Sequence, residues 1–400
     1  MTTISRRIPL LYPPVRMPPG PPLYKLHGTW FLFTTKRLSP KFLSIGPRFY
    51  FFLFEMGSDF MWVFGLILYF FMVFEGLVVN GQRVKFFIFG DSLVDAGTNN
   101  YINTSKNHQA NFLPYGENSF FAKPTGRFSD GRITPDFIAK LAKLPLIPPY
   151  LEPGADHSHG ANFASAGAGI LNKTNRGEVV TMDMQIEQYF NLSEKFKRNL
   201  GDAKANQVLS NAVYYMTAGL NDYKVFVMDY EDQLSYCKDE FVRNVIGMRS
   251  HMGGRCLATA SSFVTHHNDA LENLLISLTS KLSGFQYVFF DHHEFLTPMM
   301  EKPDQHGFDS GHDACCGSGQ NRGEYTCGGK SGAATYELCE DASAYVWFDS
   351  YHYTEDIHRL AAYKMWEGNK SCVRPQALKN FFNTSNEDVS KVHLGRKGKK

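Results

Sequence analysis

The feature that most limits how this chain can fold is a series of short apolar runs, each ending at or near a glycine. Residues 84–89 are apolar except for Lys85, a pattern typical of a strand buried on both faces, and the run stops at Gly90. Residues 161–164 and 212–218 follow the same pattern. Helical patterns separate these runs, and strands that alternate with helices predict a parallel sheet covered on both faces. In such sheets ligands bind beyond the carboxyl ends of the strands, where the glycine turns lie.

Helix signals lie between and after these runs. Thr134 is predicted to cap a helix, because a proline and then an aspartate follow it. Residues 183–200 are predicted to form a second helix that ends at Gly201. Residues 263–282 are predicted to form an amphipathic helix, and residues 287–290 a further strand. The apolar faces are Phe137, Ile138 and Leu141 in the first helix, Ile186, Tyr189 and Phe190 in the second, and Leu271, Leu274, Leu275, Leu278 and Leu282 in the third.

The first 81 residues are not expected to belong to the folded domain. Residues 1–55 are basic and rich in proline, which indicates an upstream extension; a transit peptide would be amphipathic and rich in serine. From Met56 onward, an apolar run over residues 61–74 is shorter than the roughly 20 residues of a bilayer span and fits a signal peptide. Residues 56–81 are therefore predicted to be a signal peptide of a secreted, extracellular protein. Membrane anchoring is the alternative, with no stable membrane span expected in the mature chain.

Two further patterns fit the secretory route. Five asparagines stand two residues before a serine or threonine and are predicted glycosylation sites: Asn103, Asn172, Asn191, Asn369 and Asn383. The seven cysteines lie late in the chain, at Cys237, Cys256, Cys315, Cys316, Cys327, Cys339 and Cys372. A spacing such as that from Cys315 to Cys327 indicates a disulfide-closed loop rather than a zinc site, since no Cys-x-x-Cys pair occurs. The odd number leaves at least one thiol unpaired within a monomer.

The charge distribution argues against nucleic acid as a partner. Of the 41 Lys and Arg residues and 39 Asp and Glu residues, residues 1–81 hold eight basic and three acidic ones, so the rest of the chain is slightly acidic. Such a body lacks the basic surface that phosphate binding requires. The tail over residues 391–400 is basic and predicted to be disordered.

Paired histidines raise the question of a metal site. His266 and His267 lie on the predicted amphipathic helix, and Asp291, His292 and His293 follow the predicted strand. Adjacent side chains on a helix or a strand point in different directions, so one site does not easily use both members of a pair. We therefore expect no metal site.

Ser92 is the strongest candidate for chemistry. A serine after a buried strand is often a helix cap, which is the alternative interpretation here. However, Gly90 allows the chain to turn sharply, which would place Ser92 at the end of the strand. If a helix began there, the N–H of Ser92 would be free to stabilise a developing oxyanion. The surrounding sequence is not Gly-x-Ser-x-Gly, which disfavours the α/β-hydrolase fold.

Several ordered motifs resemble the plant GDSL esterase/lipase family within the SGNH hydrolases, over roughly residues 84–382. They are the runs at residues 89–95 (FGDSLVD), 124–132 (PTGRFSDGR), 162–167 (NFASAG), 219–222 (GLND), 315–319 (CCGSG), 336–339 (YELC) and 349–352 (DSYH). The resemblance implies a single three-layer α/β/α SGNH-hydrolase fold, flavodoxin-like, with a central parallel sheet, over residues 82–390. It implies no cofactor and no metal.

The same resemblance implies catalytic roles. Ser92 would attack the ester carbonyl, His352 would act as general base and then general acid, and Asp349 would orient His352. The oxyanion would be held by the N–H groups of Ser92 and Gly167 and by the side-chain amide of Asn221. Each residue also has a purely structural interpretation. Gly167 could be a turn glycine, Asn221 could belong to a turn or a helix cap, and Asp349 and His352 could form a surface ion pair.

The chain departs from the family pattern in two places. Tyr353 stands where the family usually has proline after the histidine. Between Gly247 and Gly253 the family carries a helix, a core strand and a cysteine-containing block, whereas here only residues 248–252 intervene. Residues 222–262 also contain no second buried-strand run, so we expect the sheet to lack one strand.

The function predicted from these features is a secreted serine hydrolase that cleaves carboxylic esters of lipids or fatty acids through an acyl-serine intermediate. The alternatives are an acetylesterase acting on cell-wall polysaccharide and a catalytically impaired binding protein derived from the hydrolase. The predicted partner is a small-molecule or lipid ester, and no oligomeric state is predicted.

Overall fold

A computed structural model describes residues 84–118, 120–228, 260–368 and 371–382. The helices, in chain order, are α1 (Thr134–Leu141), α2 (Met182–Leu200), α3 (Asp202–Ser210), α4 (Leu220–Met228), α5 (Ala260–Lys281), α6 (His292–Glu301), α7 (Pro303–His306) and α8 (Glu355–Glu367). The strands are β1 (Phe86–Gly90), β2 (Gly160–Asn162), β3 (Val213–Thr217), β4 (Phe289–Phe290), β5 (Ser310–Ala314), β6 (Cys316–Gly317), β7 (Glu337–Leu338), β8 (Tyr345–Trp347) and β9 (Val373–Arg374). Short 3-10 helices span Thr98–Tyr101, Lys106–His108, Gln320–Arg322, Cys327–Gly332, Ala342–Ala344 and Leu378–Phe381.

Strand β1 lies at the centre of a three-stranded sheet with the order β2-β1-β3. Both neighbours run parallel to it, and Phe86 stands opposite Gly160 on one side and Val213 on the other. All five residues of β1 are buried, as the apolar run before Gly90 predicts. The parallel sheet expected from the alternation of strands and helices is therefore confirmed.

The side chains of β1 point alternately to two separate cores. Phe86 and Ile88 pack in a large cluster that takes in residues of α1 and α8. Phe87 and Phe89 pack on the opposite face, in a cluster that takes in Met182 and Leu192 of α2. Helices thus cover both faces of the sheet, which confirms the predicted three-layer α/β/α fold.

Two details of the predicted helices are wrong. Thr134 is the first residue of α1 rather than its cap, because the Asp136 carboxylate accepts the N–H of Ile133 at 2.9 Å, while the hydroxyl of Thr134 lies 2.9 Å from Nδ1 of His358. In α2 the ring of Phe190 is 37% exposed. Only Ile186 and Tyr189 of the predicted trio pack against the core. Helix α2 ends as predicted, with the N–H of Gly201 donating to the carbonyl of Lys197.

The strand predicted over residues 287–290 is shorter and pairs differently from expectation. Strand β4 contains only Phe289 and Phe290, and it pairs antiparallel with β9. The partner comes from a distant segment, and the contact continues past β4, where the N–H of Asp291 donates to the carbonyl of Cys372. The interval from Gly247 to Gly253, where the family pattern places a further strand, lies outside the described residues.

Two disulfides hold the late part of the chain together. Cys315 bonds to Cys339, and Cys316 bonds to Cys327. The loop that ends at Cys327 is therefore closed by Cys316 rather than by its neighbour Cys315. Cys372 is a buried free thiol, and Cys237 and Cys256 lie outside the described residues.

The predicted glycosylation sites are accessible wherever they are described. Asn103, Asn172 and Asn191 are exposed, and Asn191 lies within α2. Asn369 and Asn383 fall outside the described residues, as do the segments 1–55, 56–81 and 391–400. Of the helices that the structure describes, none combines the length and apolar character needed to cross a bilayer.

Candidate active site

The end of β1 is shaped by Gly90. Its φ is +142°, and a Cβ at this position would lie 1.9 Å from the carbonyl oxygen of Thr217, so no larger residue fits without moving β3. The side chain of Gln185 fixes this glycine, since its oxygen accepts the N–H of Gly90 and its amide donates to the carbonyl of Gly90, both at 2.9 Å. Ser92 lies two residues after Gly90 and is 9% exposed. No helix begins there, because residues 91–94 form a turn closed by the N–H of Val94.

Ser92 meets a histidine and an aspartate from the other end of the chain. Asp349 and His352 lie in the loop between β8 and α8. Nε2 of His352 lies 2.8 Å from Oγ of Ser92, and Nδ1 of His352 lies 2.7 Å from a carboxylate oxygen of Asp349. An ionised carboxylate only accepts, so Nδ1 carries the proton and Nε2 is free to accept the hydroxyl proton of Ser92. The three side chains are thus connected in one hydrogen-bonded relay.

The carboxylate of Asp349 is buried and fully engaged. Besides His352, it accepts the hydroxyl of Tyr115 at 2.7 Å and the backbone N–H groups of Tyr351 and His352 at 2.8 and 2.9 Å. Burial alone would raise the pKa of Asp349, but His352, the nearby charge of Lys330 and the hydroxyl of Tyr115 hold it well below its usual range. The carboxylate therefore stays ionised and keeps His352 in one tautomer.

The motif at residues 124–132 (PTGRFSDGR) packs against His352 and holds the elements around it in place. Phe128 packs its ring 4.6 Å from the ring of His352. Arg127 forms a buried bidentate ion pair with Asp136 at 2.8 and 2.9 Å. Arg132 pairs with Glu355 at 2.6 Å, at the start of α8. This motif thus ties α1 to the helix that follows Asp349 and His352, and it brings no reacting group to the site.

The three predicted oxyanion donors lie together around the mouth of the site. Ser92, Gly167 and Asn221 all line one cavity. Within the described parts of the chain, the backbone N–H groups of Ser92 and Gly167 have no acceptor. The amide of Asn221 donates one hydrogen to the carbonyl of Ala168 at 3.0 Å and has a second hydrogen. Gly167 has φ +87° and a Cβ there would meet His108 at 2.6 Å, which explains the glycine.

Buried acids hold the loops that carry these donors. Asp95 accepts the N–H of Ala166 at 2.9 Å, next to Gly167. Asp222, next to Asn221, accepts the N–H of Ile170 at 2.7 Å. Both carboxylates stand within the motifs at residues 89–95 and 219–222, but no role was predicted for either of them from the sequence.

A buried lysine lies behind the site. Lys330 is 0% exposed, and its ammonium donates to the hydroxyl of Tyr325 at 2.9 Å and lies 4.1 and 4.6 Å from the ring centroids of Phe128 and Tyr115. Burial lowers the pKa of Lys330 to about 7, although Asp349 favours the charged form. Sequence reasoning missed Lys330 and Tyr115, because a lysine between cysteines carries no signal of its burial.

The cavity over Ser92 has a volume of about 970 Å³. On one wall, Nδ1 of His108 lies 3.1 Å from the carboxylate of Glu178, which also accepts the hydroxyl of Ser105. On another wall, Lys224 of α4 lies beside Tyr351. None of these residues was predicted from the sequence, and their polar types alone would not have distinguished them from surface residues.

None of the paired histidines is among the residues that line this cavity. Nδ1 of His267 is 2.7 Å from the hydroxyl of Tyr223. Asp291 and His293 line a separate cavity of about 400 Å³ that contains neither Ser92 nor His352. Over the ranges that the structure covers, no group of three or more histidine, cysteine or acidic side chains is placed to hold a metal ion.

Comparison with known proteins points to one family. Residues 86–365 match the family model described as GDSL-like Lipase/Acylhydrolase. The chain is 39% identical to a "GDSL lipase" of Tanacetum cinerariifolium, a match that covers 77% of this chain and 90% of the relative. It is 38% identical to "GDSL esterase/lipase 5" and to "GDSL esterase/lipase 1" of Arabidopsis thaliana, which cover 76% and 77% of this chain and 89% and 92% of those relatives.

Proposed function

This chain belongs to the GDSL-like lipase/acylhydrolase family and is a carboxylic ester hydrolase, and from that premise we propose that Ser92, His352 and Asp349 perform the hydrolysis through an acyl-serine intermediate. The observation that carries the proposal is the continuous relay from Asp349 through His352 to Ser92, which opens into the large cavity. The free N–H groups of Ser92 and Gly167 support it further.

The proposed reaction has two halves. Oγ of Ser92 bonds to the ester carbonyl carbon as its proton passes to Nε2 of His352. The carbonyl oxygen becomes an oxyanion that accepts from the N–H groups of Ser92 and Gly167 and the amide of Asn221. The C–O bond to the alcohol then breaks, and His352 gives its proton to the departing oxygen. In the second half, water gives a proton to His352, its oxygen attacks the acyl-serine carbonyl, and the carboxylic acid leaves as Ser92 regains a proton.

We propose lipid or fatty-acyl esters as the substrate class. Apolar atoms of Leu220, Val225 and Tyr325 line part of the cavity, and its volume accommodates more than an acetyl group. The relatives are named "GDSL lipase" and "GDSL esterase/lipase 5", and these names agree with lipid or fatty-acyl esters as the substrate class. The second candidate, an acetylesterase acting on polysaccharide, is favoured by the polar side chains that share the same cavity: Ser105, Asn107, His108, Asn175, Glu178 and Ser331.

An acyl-length series distinguishes the two substrate classes. With 4-nitrophenyl esters from acetate to decanoate, we expect kcat/KM to rise with chain length, because each buried methylene contributes about 0.8 kcal/mol, or roughly fourfold per carbon. The rise should stop when the chain outgrows the cavity. Steady-state kinetics on purified protein provide the measurement. A kcat/KM that is highest for acetate and falls with each added carbon would instead select the acetylesterase.

We also propose that the protein is secreted from a start at Met56, with a mature N-terminus near Gln82. Two disulfides in the described residues support this route, since such bonds persist in oxidising compartments. The exposure of Asn103, Asn172 and Asn191 is compatible with glycosylation. N-terminal sequencing of protein recovered from the medium of expressing plant cells should begin within several residues of Gln82. Secreted protein that still carries residues 1–55 would contradict the proposal.

A further inference from the structure

Lys224 lines the cavity over Ser92, and its charge has no acidic partner among the described residues. Lys224 follows Asn221 by one turn of α4, so both side chains lie on the same side of that helix. Its ammonium lies 3.8 Å from the ring centroid of Tyr351 and 5.6 Å from that of Tyr325. No carboxylate of the described residues lies within 4 Å of it.

The lysine lies on the side of the site where an alcohol must leave. His352 protonates the departing oxygen in the proposed mechanism, so the alcohol portion of a substrate lies next to Nε2 of His352. Tyr351 and Tyr325 flank His352, with ring centroids 6.4 and 6.3 Å from that of the imidazole. An ammonium held over the Tyr351 ring therefore lies on the His352 side of the cavity, where the proposed mechanism places the alcohol portion.

Other charges around this wall reinforce its positive character. Lys106 and Lys224 both lie close enough to Lys330 to lower its pKa further, after burial, and Nζ of Lys330 lies 4.8 Å from the ring centroid of Tyr325. Among the described residues that line the cavity, the one acidic side chain is Glu178, which is engaged by Ser105 and His108 and is half exposed. A site with this distribution of charge attracts and orients an anion.

We propose that Lys224 is a specificity-determining residue that selects esters whose alcohol portion carries an anionic group, a carboxylate or a phosphate. The inference rests on the proposed function, because it places the substrate between Ser92 and His352. The substrate anion would pair with the ammonium over the Tyr351 ring while the acyl group enters the remainder of the cavity. Two kinds of ester supply such an alcohol. In a phospholipid the anionic group is a phosphate, and in an acidic saccharide ester it is a carboxylate.

Three acetate esters with matched leaving groups test this inference. They are 4-acetoxybenzoate, 4-acetoxyphenyl phosphate and the neutral 4-acetoxybenzamide, and the readout is the ratio of kcat/KM for each anionic ester to that for the amide. We expect Lys224→Met to lower the ratio by about fivefold or more, while Lys224→Arg retains most of it. High salt should lower the ratio for the wild type. The larger loss with the carboxylate or with the phosphate identifies the anion that the site prefers.

Lys204→Met is the matched control, because Lys204 is an exposed lysine on α3 outside the cavity, and the ratio should not change. Lys224→Gln provides a second neutral variant if the methionine form is unstable. An unchanged ratio in a folded, active Lys224 variant overturns the inference while the proposed function stands. Failure of the wild type to hydrolyse even the neutral ester, under conditions where it is folded, counts against the proposed function itself.

Discussion

Replacing Ser92 by alanine should abolish turnover of a chromogenic ester, with kcat reduced by about 10⁶-fold, the loss seen when the nucleophile of subtilisin is removed. The hydroxyl makes its hydrogen bond to Nε2 of His352. Its loss therefore removes the attacking atom and leaves the surrounding packing in place. The melting temperature should stay within a few degrees of the wild-type value. Covalent labelling by a fluorophosphonate probe should disappear together with turnover.

Ser350→Ala is a suitable control for Ser92→Ala. Ser350 follows Asp349 directly, and its buried hydroxyl has no hydrogen-bond partner within the described residues. This variant should retain turnover and labelling. Turnover that survives in Ser92→Ala would show that another nucleophile is used. Absence of turnover in the folded wild-type protein would favour the alternative of an impaired binding protein.

Asp349→Asn should reduce kcat by about 10⁴-fold with little change in KM, as in the corresponding trypsin variant. One carboxylate oxygen accepts the backbone N–H groups of Tyr351 and His352, so the amide oxygen will take that place. The amide nitrogen then takes the place of the other oxygen. Both positions lie close to Nδ1 of His352, at 2.7 Å for the oxygen and 2.8 Å for the nitrogen, and we expect the amide nitrogen to donate to Nδ1. This moves the imidazole proton to Nε2, which can no longer accept the proton of Ser92.

Tyr115→Phe provides the comparison for this variant. It removes a donor to the same carboxylate at 2.7 Å without changing the tautomer of His352. Its cost should be about 1.5–3 kcal/mol, roughly tenfold to a hundredfold in kcat/KM. Steady-state kinetics of both variants beside the wild type provide the test. An Asp349→Asn enzyme that keeps a tenth of wild-type turnover would rule out the proposed role of this carboxylate.

The sequence predicted the layered fold because its signals are local. The apolar run into Gly90 identifies a strand buried on both faces, and the helix patterns around it identify the covering layers. The pairing of β4 with β9 was not predictable, because it depends on a segment about eighty residues further along the chain. The sequence also could not show which of Cys315 and Cys316 bonds to Cys327. The two cysteines are adjacent, so their distances along the chain to any partner differ by only one residue.

The candidate site was predictable in its reacting groups and not in its surroundings. Ser92, Asp349 and His352 stand within motifs that resemble a known family, and the structure brings them within hydrogen-bonding distance. Their catalytic roles remain a proposal. Tyr115, Lys330 and Lys224 carry no local signal, because their positions follow from contacts across the fold. Tyr353, the departure from the family pattern, is buried and packs its ring 5.0 Å from that of Trp347.

Ser92 and His352 are separated by 260 residues in the chain, and this distance has a consequence for the protein during its own synthesis. At about 5–20 residues per second, the ribosome takes roughly 13–52 s to add the base after the nucleophile has been made. Until then, the growing polypeptide contains the serine without the imidazole that accepts its proton. Under the proposed mechanism, a nascent chain is therefore inert toward the esters around it until His352 has been added.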